Sequence, residues 1–268
     1  MKLRYFLIGL LSLPAAAQTT RTVQDLQLWP EAQAELALPG SDYLLLAARG
    51  ERSTSAGVSR ALGFDERRLT LGYEHFWNER WSGGATVRYI AYGGSHDYVL
   101  PELLLRHRSP IGPLTFGQRL SLERSFPVER LSGSGKAEGQ TWVRLRLDLE
   151  KQLPLGRISL RPRLSYEAAT HLRLQKAETD PNERFIQFTS ARVELGCQLF
   201  EQFDLTPWFA YRTNYFITEP QYKEVNGVLV QTSGGKLNAV APTLGLELRY
   251  TFLNGRKGSE RQQLPTQH

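Results

Sequence analysis

Residues 141–167 read "TWVRLRLDLEKQL" (Thr141–Leu153), "PLG" (Pro154–Gly156) and "RISLRPRLSYE" (Arg157–Glu167). In the first run Val143, Leu145, Leu147 and Leu149 alternate with Arg144, Arg146, Asp148 and Glu150. In the second, Ile158, Leu160, Leu164 and Tyr166 alternate with Ser159, Arg161, Arg163, Ser165 and Glu167. Successive side chains of a β-strand point to opposite faces, so the stretch predicts a hairpin with one apolar face and one densely charged face. Water can cover the charged face. What covers the apolar one decides the fold.

Outward from this hairpin the same rhythm recurs along nearly the whole chain, over residues 24–38, 41–52, 66–77, 80–92, 97–108, 113–125, 140–153, 157–172, 184–200, 203–217 and 236–252. Most of these segments exceed the usual soluble strand of about 5 or 6 residues and reach the roughly 9–11 that a tilted bilayer crossing needs. Their connectors alternate between short ("PGS", "NER", "SPIG", "PLG", "EQ") and long polar ones around Gly57, Gly94, Gly133, Asp180 and Gly234. Tight turns at one end and longer loops at the other are the asymmetry of outer-membrane barrels. The expected fold is therefore all-β, an antiparallel up-and-down transmembrane β-barrel of ten to twelve strands.

The eleven segments conflict with the even strand number of single-chain bacterial barrels. With the short connectors at the periplasmic end, 41–52 runs outward and 236–252 inward, which closes ten strands. Segment 24–38 is then the odd one, and Pro30 marks it as an edge or an interruption. Either a twelfth strand exists or this segment is not a full crossing.

The N-terminus predicts the compartment. Lys2 and Arg4 precede the apolar "YFLIGLLSL", followed by Pro14 and "AAA", the order of a secretory signal peptide cleaved after Ala17. The expected organisation is a signal over 1–17, a barrel over 18–252 and a polar tail over 253–268. No stretch approaches the roughly 18 apolar residues of a helical span. The formal net charge of +6 falls by two when Lys2 and Arg4 leave with the signal. Its arginines are spread along strands rather than gathered in a patch, so nucleic acid is not an expected partner. Outer-membrane lipid and the anionic lipopolysaccharide leaflet are, together with the barrel-assembly machinery during insertion.

Trp29, Trp77, Trp81, Trp142, Tyr89, Tyr92, Tyr98, Phe126, Tyr215 and Phe252 fall near strand ends, where aromatic girdles sit at the headgroup level. In the last strand, "TLGLELRYTF", Thr243, Gly245, Leu248 and Tyr250 have the spacing of the C-terminal signal read by the assembly machinery, although a tail follows Phe252. The Trp29 strand, "LLLAARGER", the "DERRLTLGYEHFWNERW" hairpin and the closing "LGLELRY" together resemble an uncharacterised family of small outer-membrane β-barrels, a domain of unknown function. That resemblance, over about residues 24–252, implies a location and a fold and carries over no functional residue.

Signals for chemistry are few. His75, His96, His107 and His171 are far apart and have no ligand-like spacing, so no metal or cofactor is expected. "GSGK" at Gly133–Lys136 fails the phosphate-loop pattern at both ends. Ser121 with His107 makes a hydrolase pair only under an assumed register. Cys197 is expected as a small filler on the apolar face, unable to form an internal disulfide.

If the apolar face meets lipid, the lumen receives Arg119, Glu123, Arg144, Arg146, Asp148, Glu150, Arg157, Arg161, Arg163, Glu167, Arg192, Glu194, Arg212, Glu247 and Arg249. Strands about 4.8 Å apart let opposite charges form neutralising ladders. Barrels of about eight strands are filled by their own side chains and those of about sixteen leave a channel. The expectation is a mostly plugged lumen with passive structure or a narrow passage for small anionic solutes, no enzyme, and no identifiable small-molecule ligand. Two other readings share the alternation. A periplasmic lipocalin-like barrel would reverse the faces and hold lipid inside, and an outer-membrane hydrolase would use a Ser and a His on the wall.

Overall fold

The structure, a computed structural model, describes residues 20–39, 42–55, 63–92, 96–129, 139–156, 158–173, 184–225 and 228–253. The predicted signal, Arg157, the "GSGK" motif, the centres of the loops expected at Gly57, Gly94, Gly133 and Asp180, and residues 254–268 lie outside them. No described helix is long and apolar enough to cross a membrane, which says nothing of strands.

Fourteen strands make one sheet: β1 (Thr20–Val23), β2 (Gln27–Leu38), β3 (Asp42–Ser53), β4 (Glu66–Phe76), β5 (Trp81–Tyr92), β6 (His96–Ile111), β7 (Leu114–Arg124), β8 (Phe126–Glu129), β9 (Thr141–Glu150), β10 (Leu153–Leu155), β11 (Ile158–His171), β12 (Phe188–Phe200), β13 (Phe203–Val225) and β14 (Val228–Phe252). Three of them are continuations. β8 prolongs β7 along β6, β10 fills the bend before β11, and β1 leads into β2 along β14. Eleven staves remain, and they close on themselves because β14 pairs with β2.

The closure is parallel, from Thr243↔Gln27 to Phe252↔Leu36, whereas every other neighbour is antiparallel apart from the β1 lead-in. This corrects the expectations of wholly antiparallel pairing and an even strand number. Both β2 and β14 run toward the short-connector end, so they can meet only in parallel. The supposed odd segment is a full stave. Pro30 nevertheless leaves a mark, since the β2–β3 pairing is interrupted at Trp29 and Pro30, where proline offers no N–H, and resumes in the same register at Glu31↔Arg49.

The hairpin that carried the sequence argument is in place: Arg163↔Glu150 and Glu167↔Arg146 are cross-strand partners of β11 and β9. A difference appears at the end of the chain. The long loop expected at Gly234 is instead part of a ladder in which β13 and β14 pair as far as Val225↔Val228.

Burial is inverted relative to a water-soluble domain. Outward-facing Leu71, Leu103, Leu120 and Leu164 are half or more exposed, while Glu35, Glu247, Arg249 and Arg106 are at most 2% exposed. The barrel is polar within and apolar without, which removes the lipocalin-like alternative with its apolar interior.

Candidate functional site: a charged lumen

Each described charged residue predicted for the lumen lies on the inward face. Arg119, Glu123, Arg146, Arg163, Glu167, Arg192, Glu194, Glu247 and Arg249 are buried, and Arg144, Asp148, Glu150, Arg161 and Arg212 are half-buried. Strand alternation alone puts them there. What they touch depends on the register between strands.

Toward the short-connector end the lumen is packed with ion pairs. Arg249 bridges Glu247 (2.6 Å) and Glu35 (3.3 Å), its Nε donates to Gln33 Oε1 (2.9 Å), and the Thr251 hydroxyl donates to Glu35 (2.9 Å). Arg106 pairs with Glu74 at 2.5 Å, and the Ser82 hydroxyl donates to the same carboxylate. Glu102 lies between Arg119 and Arg88 and accepts from Thr86 (3.0 Å). Arg163 reaches both Glu150 and, at 2.8 Å, Glu194, which also meets Arg192 at 2.6 Å. A buried charge is costly unless it is paired, and each of these arginines is matched with at least one carboxylate.

Arg146 meets Glu194 at 4.0 Å and donates to the Ser165 hydroxyl at 3.3 Å. Asp148 lies against Gly117, where a Cβ would collide with its carboxylate. Many lumen charges were not predicted at all: Glu31, Glu35, Arg49, Glu66, Arg68, Glu74, Arg88, Glu102 and Arg106. Alternation in "WPEAQAEL" was visible and could have supplied Glu31 and Glu35. In β3 and β6 the inward positions are partly apolar (Tyr43, Leu45, Ala47, Leu100, Leu104), which hid the two-residue rhythm.

Toward the long-connector end the packing opens into a cavity of about 390 Å³. Seven arginines, among them Arg68, Arg88, Arg144, Arg192 and Arg212, line it with four glutamates. Aromatic rings hold some of the cations. Trp29 lies between two guanidiniums, Arg49 at 4.0 Å and Arg212 at 4.1 Å from its ring centre, while Arg192 lies 4.0 Å from the Trp208 ring. The two indoles meet edge to face at 5.7 Å. Gly245, opposite both in register, leaves the room they fill, because any Cβ there would enter the Trp208 ring.

Four expected girdle residues therefore face inward. Trp29, Tyr92 and Trp142 line the cavity, Tyr98 shares the face of Leu100 and Glu102 and packs edge to face on Tyr92, and Trp142 packs against His171. Parity outranks nearness to a strand end: Trp29 shares its face with Gln27, Glu31 and Gln33. Trp77, Trp81, Tyr89, Phe126 and Phe252 do present exposed rings.

The Ser121–His107 pair is not assembled. Ser121 is buried in the lumen, and His107 is on the outer face against Trp81. Among the described residues no group of three or more His, Cys, Asp or Glu could hold a metal ion. Cys197 is half-buried on the outer face.

The class these features define is a closed β-barrel of eleven staves with an apolar exterior and an ion-paired lumen. No family model matches the chain, and no curated protein does. Among solved structures it is similar to a NanC porin, at 9% identity and a TM-score of 0.43 over 82% of this chain and 91% of that one.

Proposed function

We propose that the chain is an integral outer-membrane β-barrel, exported by its N-terminal signal, whose lumen is closed at the periplasmic, short-connector half. Its role is that of a membrane-embedded structural or receptor barrel, with at most a narrow passage for small anions, and not that of an open diffusion pore or an enzyme. The observation that carries this reading is the inverted burial. A belt of leucines on the outside has no partner but lipid, and charged side chains within are sealed from solvent. Outer-membrane lipid, lipopolysaccharide and, during insertion, the barrel-assembly machinery are the corresponding partners. The closed half is supported by Glu35, Thr251, Asp204 and Arg249, all at most 2% exposed.

The test combines fractionation with planar-bilayer recording. The protein is expected to need detergent for extraction, to migrate faster unheated than boiled, and to give silent or very small conductance. Release by osmotic shock would overturn the membrane assignment. Large ohmic steps would overturn the closed lumen.

A further inference from the structure

The cavity at the long-connector half gathers several donors that have no acceptor among the described residues. Trp29, Arg192 and Arg212 all line it. Nη1 and Nη2 of Arg192 are buried and make no hydrogen bond among the described residues, although Glu194 lies 2.6 Å from its Nε. Trp29 Nε1 is likewise buried with no acceptor. Arg212, its side chain 21% exposed, has its carboxylate neighbour Glu51 only at 4.0 Å. Buried donors left unmatched are expensive, so a native protein that keeps several in one place has a reason for them.

The stacking explains how they are kept. Against the faces of Trp29 and Trp208, the guanidiniums of Arg212 and Arg192 are held by ring electrostatics. A guanidinium's N–H donors lie in its plane, so stacking leaves them for an acceptor, and the forked pattern fits carboxylate or phosphate oxygens. The cavity volume falls within the usual range for a small-molecule site.

Resting on the barrel reading above, we infer that this cavity is a binding site for a small, multiply charged oxyanion, taken from the aqueous phase at the long-connector end. Its carboxylate or phosphate oxygens accept from Arg192, Arg212 and the Trp29 indole N–H. The barrel wall separates the site from the bilayer, so the ligand is a free solute and not a lipid headgroup.

The experiment titrates the full-length, detergent-folded protein with pyrophosphate and with citrate, using glucose as the uncharged control. Calorimetry and tryptophan fluorescence are the readouts. Saturable binding is expected for at least one anion and none for glucose. Arg192→Gln and Arg212→Gln should each weaken it at least tenfold, and Trp29→Phe, which keeps a ring but removes the donor, severalfold. Arg80→Gln, exposed at the other end of the barrel, should bind as the parent does. Each sample's unheated gel mobility reports its folding, and Trp29→Phe serves if an arginine variant does not fold. A folded barrel that binds neither anion, or binds equally well in all three lumen variants, overturns the inference while leaving the barrel reading intact. A chain that needs no detergent overturns the barrel reading instead.

Discussion

At the residue scale the lumen works by pairing, and Arg163 shows what one side chain carries. It lies between Glu150 and Glu194, the second of which is 3% exposed at its side chain. Arg163→Leu takes the ion-pair partner from Glu150 and one of three arginines from Glu194, and breaking such a buried pair costs about 3–5 kcal/mol. The refolding midpoint in urea should fall accordingly. Adding Glu150→Gln to Arg163→Gln should recover part of the loss, because a neutral pair replaces an orphaned charge. A midpoint unchanged in Arg163→Leu would show the network to be dispensable. The inward direction of Arg163, Glu150 and Glu194 was legible in the sequence, since parity fixes the face. Their pairing was not: Glu194 belongs to β12, and only strand register brings it to Arg163.

At the element scale the decisive feature is the seam between β2 and β14. Ala32 and Leu248 are Cα partners across it, both on the outer face. With Cys197→Ser as background, Ala32→Cys with Leu248→Cys should form a disulfide on oxidation, read as a reducible shift of the boiled protein on a gel. A ten-strand closure of β3 on β14 would leave those cysteines apart and unlinked. The sequence contained the directions of both strands through its connectors, yet an even-number rule argued against using them together. The long β13–β14 hairpin was missed for another reason. Asn226-Gly227, a strong two-residue hairpin signal, lies between the paired Val225 and Val228. The glycines and polar residues at Ser233–Lys236 instead resembled a loop.

At the scale of the whole molecule, the exterior belt should behave as lipid-facing surface. Leu103, in mid-β6 and 63% exposed, tests it. Leu103→Arg should destabilise the barrel in vesicles by about 2–4 kcal/mol, the cost of arginine near a bilayer midplane. Arg80→Leu at the short connector should have no such effect. A water-soluble barrel would give the opposite result, with Leu103→Arg improving solubility at no cost in stability. The cavity and the ion-paired half also belong to this scale, since each draws on strands from around the whole circumference.

By itself the sequence determined the strand class, eleven alternating segments, the two faces of nearly every one and the inward direction of the predicted arginines and acids. Those properties are local, following from a two-residue period and from connector length. Only the tertiary structure decided that all eleven are full staves, the parallel closure, the partner of each charge and the place of Trp29 within the lumen. It also decided the division of the interior into a sealed half and an arginine-lined cavity. Such properties depend on register and on the stagger of strands around a closed barrel, which bring together residues as distant as Glu35 and Arg249. No pattern within one strand encodes that meeting.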